Sequence, residues 1–297
     1  MNFDRIVQSV DVSRLQQSHV VIVGGGYGLA NDLARCGVGQ FTYVDFDTVD
    51  DTNPARQDFS ASDIGQPKVD AIEATLHAIN PDIVVNKLRR DFCSLSPAEI
   101  EESLGTCDLL ILATDRFVAQ ARGNLEAIRL AKPAMWIGLY RSGRAGEIAI
   151  TQPVQGQACY RCIASSRYEA FYRQAGDGGA GVDIPSRGAV IMDLHIVDGI
   201  AAQIAVGLLT AGADNRFGRL IEQLGDRNFI QVKLDPTYRL GDPDVFEQHL
   251  GTNPAQFAFN SIALTIEPEP GCPDCAKKSR SRLSKRRTKE LEPCPAS

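Results

Sequence analysis

His19-Val20-Val21-Ile22-Val23-Gly24-Gly25-Gly26-Tyr27-Gly28 runs from an unbroken apolar, β-branched stretch directly into glycines. Such a stretch suits a strand buried on both faces, and the glycines suit a tight exit from it. Working outward, residues 29–36 carry helical spacing and residues 41–45 read as a second strand. Helical spacing returns over 69–79 after Pro67, and 83–88 reads as a third strand. Ser96, Pro97 and Glu99 predict a capped helix over 97–104. Residues 109–113 then predict a strand, 117–130 a helix and 134–139 a strand. Strand and helix in alternation imply an α/β fold, a Rossmann-like doubly wound and mostly parallel sheet with helices on both faces.

The second half changes character. Residues 147–151 read as a strand, 190–209 as a long apolar helix, and 229–232 and 262–266 as further strands that would extend the sheet. A glycine-rich stretch over 174–185 predicts a loop, and 235–260 an excursion containing Pro and Asp. Between Lys277 and Lys289 stand eight Lys or Arg and no acid, although the whole 297-residue chain carries a formal net charge of −6. The basic segment 277–297 is expected to be a disordered tail, leaving 1–276 as one folded unit. The start of the chain lacks a basic and then apolar leader, and no apolar run of bilayer-spanning length stands out. The cytoplasm is therefore the expected compartment, with no membrane or specific nucleic-acid partner.

The eight cysteines do not read as a secreted disulfide framework in a chain this long. Cys159-Tyr160-Arg161-Cys162 and Cys272-Pro273-Asp274-Cys275 are two CxxC knuckles. Together they offer four thiolates, the set of a closed tetrahedral structural zinc site. Cys36 and Cys107 read as core residues and Cys93 as structural, while Cys294 sits in the basic tail. His19, His77, His195 and His249 show neither ligand spacing nor a catalytic context.

The turn Gly24-Gly25-Gly26-Tyr27-Gly28 can bring backbone N–H groups and a helix amino end to phosphate oxygens. Leu29 replaces the last glycine of the dinucleotide fingerprint. Asp45 and Asp47 follow where an acid can hold a ribose hydroxyl, which serves NAD and adenine nucleotides equally. The next stretch discriminates. Asn53-Pro54-Ala55-Arg56-Gln57 and Gly65-Gln66-Pro67-Lys68 supply two cations and amides, better suited to a triphosphate than to a nicotinamide cofactor.

In order and spacing, Asp45-Phe46-Asp47-Thr48-Val49, Asn53 to Gln57 and Gly65 to Lys68 resemble the ThiF/MoeB/HesA family of ubiquitin-activating-like adenylating enzymes. The resemblance implies further roles. Asp115, in Ala113-Thr114-Asp115, falls where the family holds magnesium, and Arg5, in Phe3-Asp4-Arg5, where it contacts the triphosphate, often across a dimer interface. Asn124 matches a family Asn, but Gln120 stands where the family has Arg. A zinc bound by Cys159, Cys162, Cys272 and Cys275 is also a family trait. The segment from the glycine turn to Gly39 is shorter than the family's by about three residues, which alters the phosphate loop.

By this resemblance the chain is an ATP-dependent adenylyltransferase, activating the C-terminal carboxylate of a small ubiquitin-like or sulfur-carrier protein as an acyl adenylate. Arg5, Arg56, Lys68 and Asp115 would serve catalysis, and Gly24, Gly26, Gly28, Asp45, Asp47, Asn53 and Gln57 would bind the nucleotide. ATP, Mg2+ and Zn2+ are the implied cofactors and a homodimer the implied assembly. Residues 176–181 would cover the partner's C-terminus, and the acyl group would pass to a thiol or amine elsewhere. A short ribosomal peptide as substrate, or a binding scaffold with weakened catalysis, are the alternatives.

Overall fold

The apolar run that opens the reading above forms β1 (His19–Gly24), in which Val20, Val21 and Ile22 have no solvent exposure. The computed structural model describes residues 1–154, 156–176, 188–253 and 255–276. The basic tail, Cys294 and most of the glycine-rich stretch lie outside them. A short α1 (Val12–Gln16) precedes β1. There follow α2 (Tyr27–Cys36), β2 (Gln40–Val44), α3 (Lys68–Ile79) and β3 (Val84–Leu88). Next come α4 (Pro97–Leu104), β4 (Leu109–Ala113), α5 (Phe117–Leu130) and β5 (Ala134–Leu139). The sheet runs β3-β2-β1-β4-β5 and is parallel throughout this half. Ser96 and Glu99 form the reciprocal capping box on α4 that the sequence predicts.

The remaining strands are β6 (Ala145–Thr151), β7 (Phe229–Lys233) and β8 (Asn260–Leu264), each antiparallel to its neighbour in the order β5-β6-β7-β8. Between them lie α6 (Tyr160–Ile163), α7 (Ser165–Gly176), α8 (Ile191–Leu209), α9 (Arg216–Leu224) and α10 (Val245–Leu250). β8 sits two residues earlier than the apolar pattern predicts. The Asn228 side chain takes both backbone groups of Ile266, donating to its carbonyl at 2.9 Å and accepting from its N–H at 2.8 Å. With those groups satisfied, the ladder ends at Leu264. The helix α7 enters the stretch read as a loop, and α10 occupies the excursion.

Alternation along β1 divides the core into two layers. Val20 and Ile22 pack with Leu29, Leu33, Ile72 and Ile204, on the face covered by α2, α3 and α8. Val21 and Val23 pack with Ile100, Leu104, Phe117 and Tyr168 on the other face. Each fully buried aliphatic chain contributes about 1.5–3 kcal/mol relative to exposure, so this sandwich fixes the positions of the strand ends. The helix α8, with 19 residues and a mean hydropathy of 1.5, is long and apolar enough to cross a bilayer by composition. It carries Asp193 and Asp198 and packs along α2 and α9 as a core helix.

Candidate functional site

Strand order reverses between β1 and β4, because the chain winds from β1 through β2 to β3 on one side and from β4 to β5 on the other. Open α/β sheets place ligands in the crevice outside the carboxyl ends of strands at such a point. Here a cleft of about 250 Å³ opens at that place. Gly24, Gly25 and Gly26 leave β1 into it, Asp45 and Asp47 follow β2, and Thr114 and Asp115 follow β4. Arg56, Gln57 and Lys68 close one wall. Eight of the predicted site residues therefore share one cavity: Gly24, Gly26, Asp45, Asp47, Arg56, Gln57, Lys68 and Asp115.

Three predicted site residues stand apart from it. Gly28 is the second residue of α2 and faces α8 rather than the cleft. Asn53 is buried and shapes the turn instead. Its side chain accepts from Asp50 N at 3.0 Å, and its carbonyl accepts from Arg56 N and Gln57 N at 2.9 and 2.8 Å. That geometry delivers Arg56 and Gln57 to the wall. Arg5 is exposed near the amino terminus, where Phe3 lies against Gly37 at the carboxyl end of α2. The length of α2, roughly 15 Å for ten residues, separates that end from the glycine turn.

The close approach of β4 explains Gly24. Its φ is +83°, and a Cβ there would meet the Thr114 side chain at 2.8 Å. Gly25 N donates to Ala113 O at 2.7 Å, and the buried Tyr43 hydroxyl donates to Gly25 O. Lys68 opens α3 and pairs with Asp47 at 2.9 Å. Burial raises the Asp45 carboxyl above its usual range, partly offset by Lys68 and by the Asp47 N–H, which donates to Asp45 at 2.8 Å. Asp47 and Asp115 add like charge to the same carboxyl. These hard oxygens suit magnesium in kind. Among the described residues they do not converge as a preformed cage, so phosphate oxygens would have to complete the coordination. The Gln57 carbonyl oxygen is buried without a protein donor among the described residues, leaving an acceptor open to a ligand N–H.

Sequence reasoning missed the far wall, where β5 and β6 meet. Arg167 of α7 forms a buried ion pair with Glu147 of β6. Tyr140 donates to the same carboxylate at 2.6 Å, and Gln231 donates to Tyr140 at 3.2 Å. From Arg167 a hydrogen-bonded line runs back to the strand end. Arg167 donates to Tyr160 Oη at 3.1 Å, Tyr160 to Gln120 Oε1 at 2.7 Å, and Gln120 to Thr114 O at 2.6 Å. Gln120, the departure from the family pattern, thus links Thr114 to Tyr160.

Tyr160 belongs to the first cysteine knuckle. The four sulfurs of Cys159, Cys162, Cys272 and Cys275 all lie within 4.8 Å of one another. Measured separations are 3.9 Å for Cys159–Cys162, 3.8 Å for Cys159–Cys272 and 3.6 Å for Cys162–Cys275. A tetrahedron with Zn–S bonds of about 2.3 Å has S···S edges of about 3.8 Å, so the cluster has the dimensions of a metal site. Without a cation, burial pushes the Cys159 thiol well above its ordinary value, and a metal would reverse this. Glu269 N donates to Cys162 Sγ at 3.4 Å, and Asn124 Nδ2 reaches Cys159 Sγ at 3.7 Å and Asp274 at 3.0 Å. Asn124 Oδ1 accepts from Tyr160 N at 2.8 Å. In this chain Asn124 braces the knuckle.

A sequence model of the ThiF family matches residues 1–229. The chain belongs to the ThiF family. Among curated ThiF relatives, it is 34% identical to the molybdopterin-synthase adenylyltransferase of Escherichia coli (strain K12) over 158 residues, half of this chain and 60% of that protein. It is 33% identical over 264 residues to the probable adenylyltransferase/sulfurtransferase MoeZ of Mycobacterium tuberculosis (strain CDC 1551 / Oshkosh), covering 86% of this chain and 64% of that one. The chain thus spans less than two thirds of the length of these relatives. The crystal structure of E. coli MccB with ATP superposes with a TM-score of 0.62 at 17% identity, over 89% of this chain and 68% of that one. That likeness concerns the ThiF fold.

Proposed function

We propose that this ThiF-family chain uses ATP to adenylate the C-terminal carboxylate of a small sulfur-carrier or ubiquitin-like protein, with residues 1–276 acting as one adenylation unit in the cytoplasm. The observation that carries the reading is the cleft at the strand-order reversal, which gathers Arg56, Lys68, Asp45, Asp47 and Asp115 around a glycine turn. Cations on one wall suit a polyphosphate, and acids at the strand ends suit a ribose and a divalent metal.

Arg56 and Lys68 neutralise phosphate oxygens, and the Asp47 contact holds the Lys68 ammonium in place. Asp45 or Asp47 binds the ribose hydroxyls, and Gln57 offers its open acceptor to the nucleotide. Asp115 would hold magnesium, which supplies charge neutralisation when bound. The partner's carboxylate then attacks the α-phosphorus and pyrophosphate leaves. No side chain need move a proton, so positioning and electrostatics carry the rate. Zinc on the four cysteines is structural, leaving no open coordination position. We further propose a homodimer in which Arg5 serves the neighbouring subunit's cleft, since in its own subunit it stands at the wrong end of α2.

Exchange of labelled pyrophosphate into ATP, dependent on a partner ending in a free carboxylate, is the test. Exchange that is absent with every carrier protein from the same cell would overturn the reading.

A further inference from the structure

The amino end of a Rossmann α2 is where a phosphate normally finds unpaired N–H groups and the positive end of the helix dipole. In this chain a carboxylate already stands there. Asp198 projects from α8, is only 5% exposed, and lines the same cleft as Gly24, Gly25 and Gly26. The Leu29 N–H, in the first turn of α2, lies within hydrogen-bonding reach of it. Its second oxygen, Oδ2, is buried with no partner among the described residues. Gly28 makes the approach possible, because a Cβ there would lie 2.8 Å from Asp58 Oδ2 and 3.1 Å from Asp198 Oδ2.

The surroundings do not neutralise this charge. Asp58 stands beside it, paired through its other oxygen to His195 Nε2 of α8 at 2.9 Å. Asp32 of α2 adds a further negative charge, attended by Arg35, and from β2 the Asp198 charge faces the Tyr43 hydroxyl. An unpaired buried carboxylate is relieved by a proton or by leaving, and an incoming phosphate needs the same relief.

We propose that Asp198 is an internal rival of phosphate, holding the amino end of α2 while ionised and yielding it once protonated, so that nucleotide affinity at this site falls as pH rises. The proposal rests on the nucleotide reading of the cleft. Its sign follows from the environment. Burial above all, then Asp58 and Asp32, raise the Asp198 carboxyl to about 7 against the opposing Leu29 N–H and His195. Below that value the group is neutral and the helix end is free for an anion. Above it, two anions compete for one helix end.

Calorimetric titration with ATP and magnesium at pH 6 and pH 8, on the full chain and on Asp198→Asn, tests this. The ratio of the two proteins' affinities at each pH cancels the titration of ATP itself. Asp198→Asn is expected to bind about tenfold more tightly than the parent at pH 8 and equally at pH 6, the size of effect expected from a neighbouring like charge. Asp58→Asn should move the crossover to lower pH by making Asp198 more acidic, a second check if the first variant folds poorly. Equal binding by parent and Asp198→Asn at both pH values would overturn the proposal and leave the nucleotide reading intact. Weaker binding by Asp198→Asn at pH 8 would also overturn it, showing that the carboxylate recruits the ligand through a cation. No ATP binding by either protein would sink the proposal together with the nucleotide reading.

Discussion

Replacing Cys272 by Ser removes one of the four cysteines positioned to bind a metal and tests whether the cluster secures the end of the described fold. Past β8, residues 267–276 form no strand, and the contacts holding them run to the first knuckle and to α5: Glu269 to Cys162, Asp274 to Arg161 and to Asn124 of α5, and the sulfurs themselves. A thiolate zinc site contributes about 10–16 kcal/mol in peptides that fold only around the metal. Ordering these ten residues costs about 1–2 kcal/mol each in backbone entropy. The two terms are of the same size, so the metal chiefly offsets the ordering of this segment, and losing it is expected to cost about 3 kcal/mol, the upper end for an ordinary single substitution. For a domain of this size that is a fall in Tm of roughly 6–12 °C. A second effect reaches the cleft. Tyr160 stacks on Trp136 at 4.4 Å and heads the hydrogen-bonded line through Gln120 to Thr114, the neighbour of Asp115. Loosening the knuckle should therefore lower kcat for pyrophosphate exchange more than it weakens ATP binding. Metal analysis of the parent should give about one zinc per chain, and Cys272→Ser little. Parent protein free of metal at full Tm, or a Cys272→Ser variant with unchanged Tm, would refute the reasoning.

Asp115→Ala should abolish pyrophosphate exchange and leave the circular dichroism spectrum unchanged; exchange near the parent rate would remove Asp115 from the magnesium role. Mixing Arg5→Ala with Asp115→Ala chains should restore part of the activity through hybrid dimers, an outcome that a monomer by light scattering would exclude. Arg167→Met leaves the buried Glu147 carboxylate without its cation, held by the Tyr140 hydroxyl alone among the described residues, and should cost about 3 kcal/mol in chemical denaturation; Arg167→Met combined with Glu147→Gln should recover much of that loss. With Cys36 raised and Cys107 pushed up to about 12 by burial, neither is poised as a thiolate at neutral pH. Incubation with ATP and the partner should accordingly give no thiol-sensitive covalent adduct on a non-reducing gel, and an adduct at either residue would contradict that.

The parallel half was legible because each of its elements declares itself locally. Short apolar runs bounded by turn residues and alternating with helical spacing read as strands, and residues 97–104, 109–113, 117–130 and 134–139 fall where the pattern puts them. The motif residues were legible for a similar reason: they follow strand ends, and the strand-order reversal then gathers most of them into one cleft. What stayed hidden depends on separation along the chain. Gly28 reads as a phosphate glycine until α8 brings Asp198, 170 residues away, against it, and Gln120 reads as a lost arginine until Tyr160 is seen to need its acceptor. His195 shows no partner in sequence because Asp58 lies 137 residues earlier. One local signal did exist. An aspartate on the buried face of α8, among Val197, Ala201 and Ala205, has to meet a donor or take a proton. The amino end of α2, left open by its glycines, is the nearest place that can supply one.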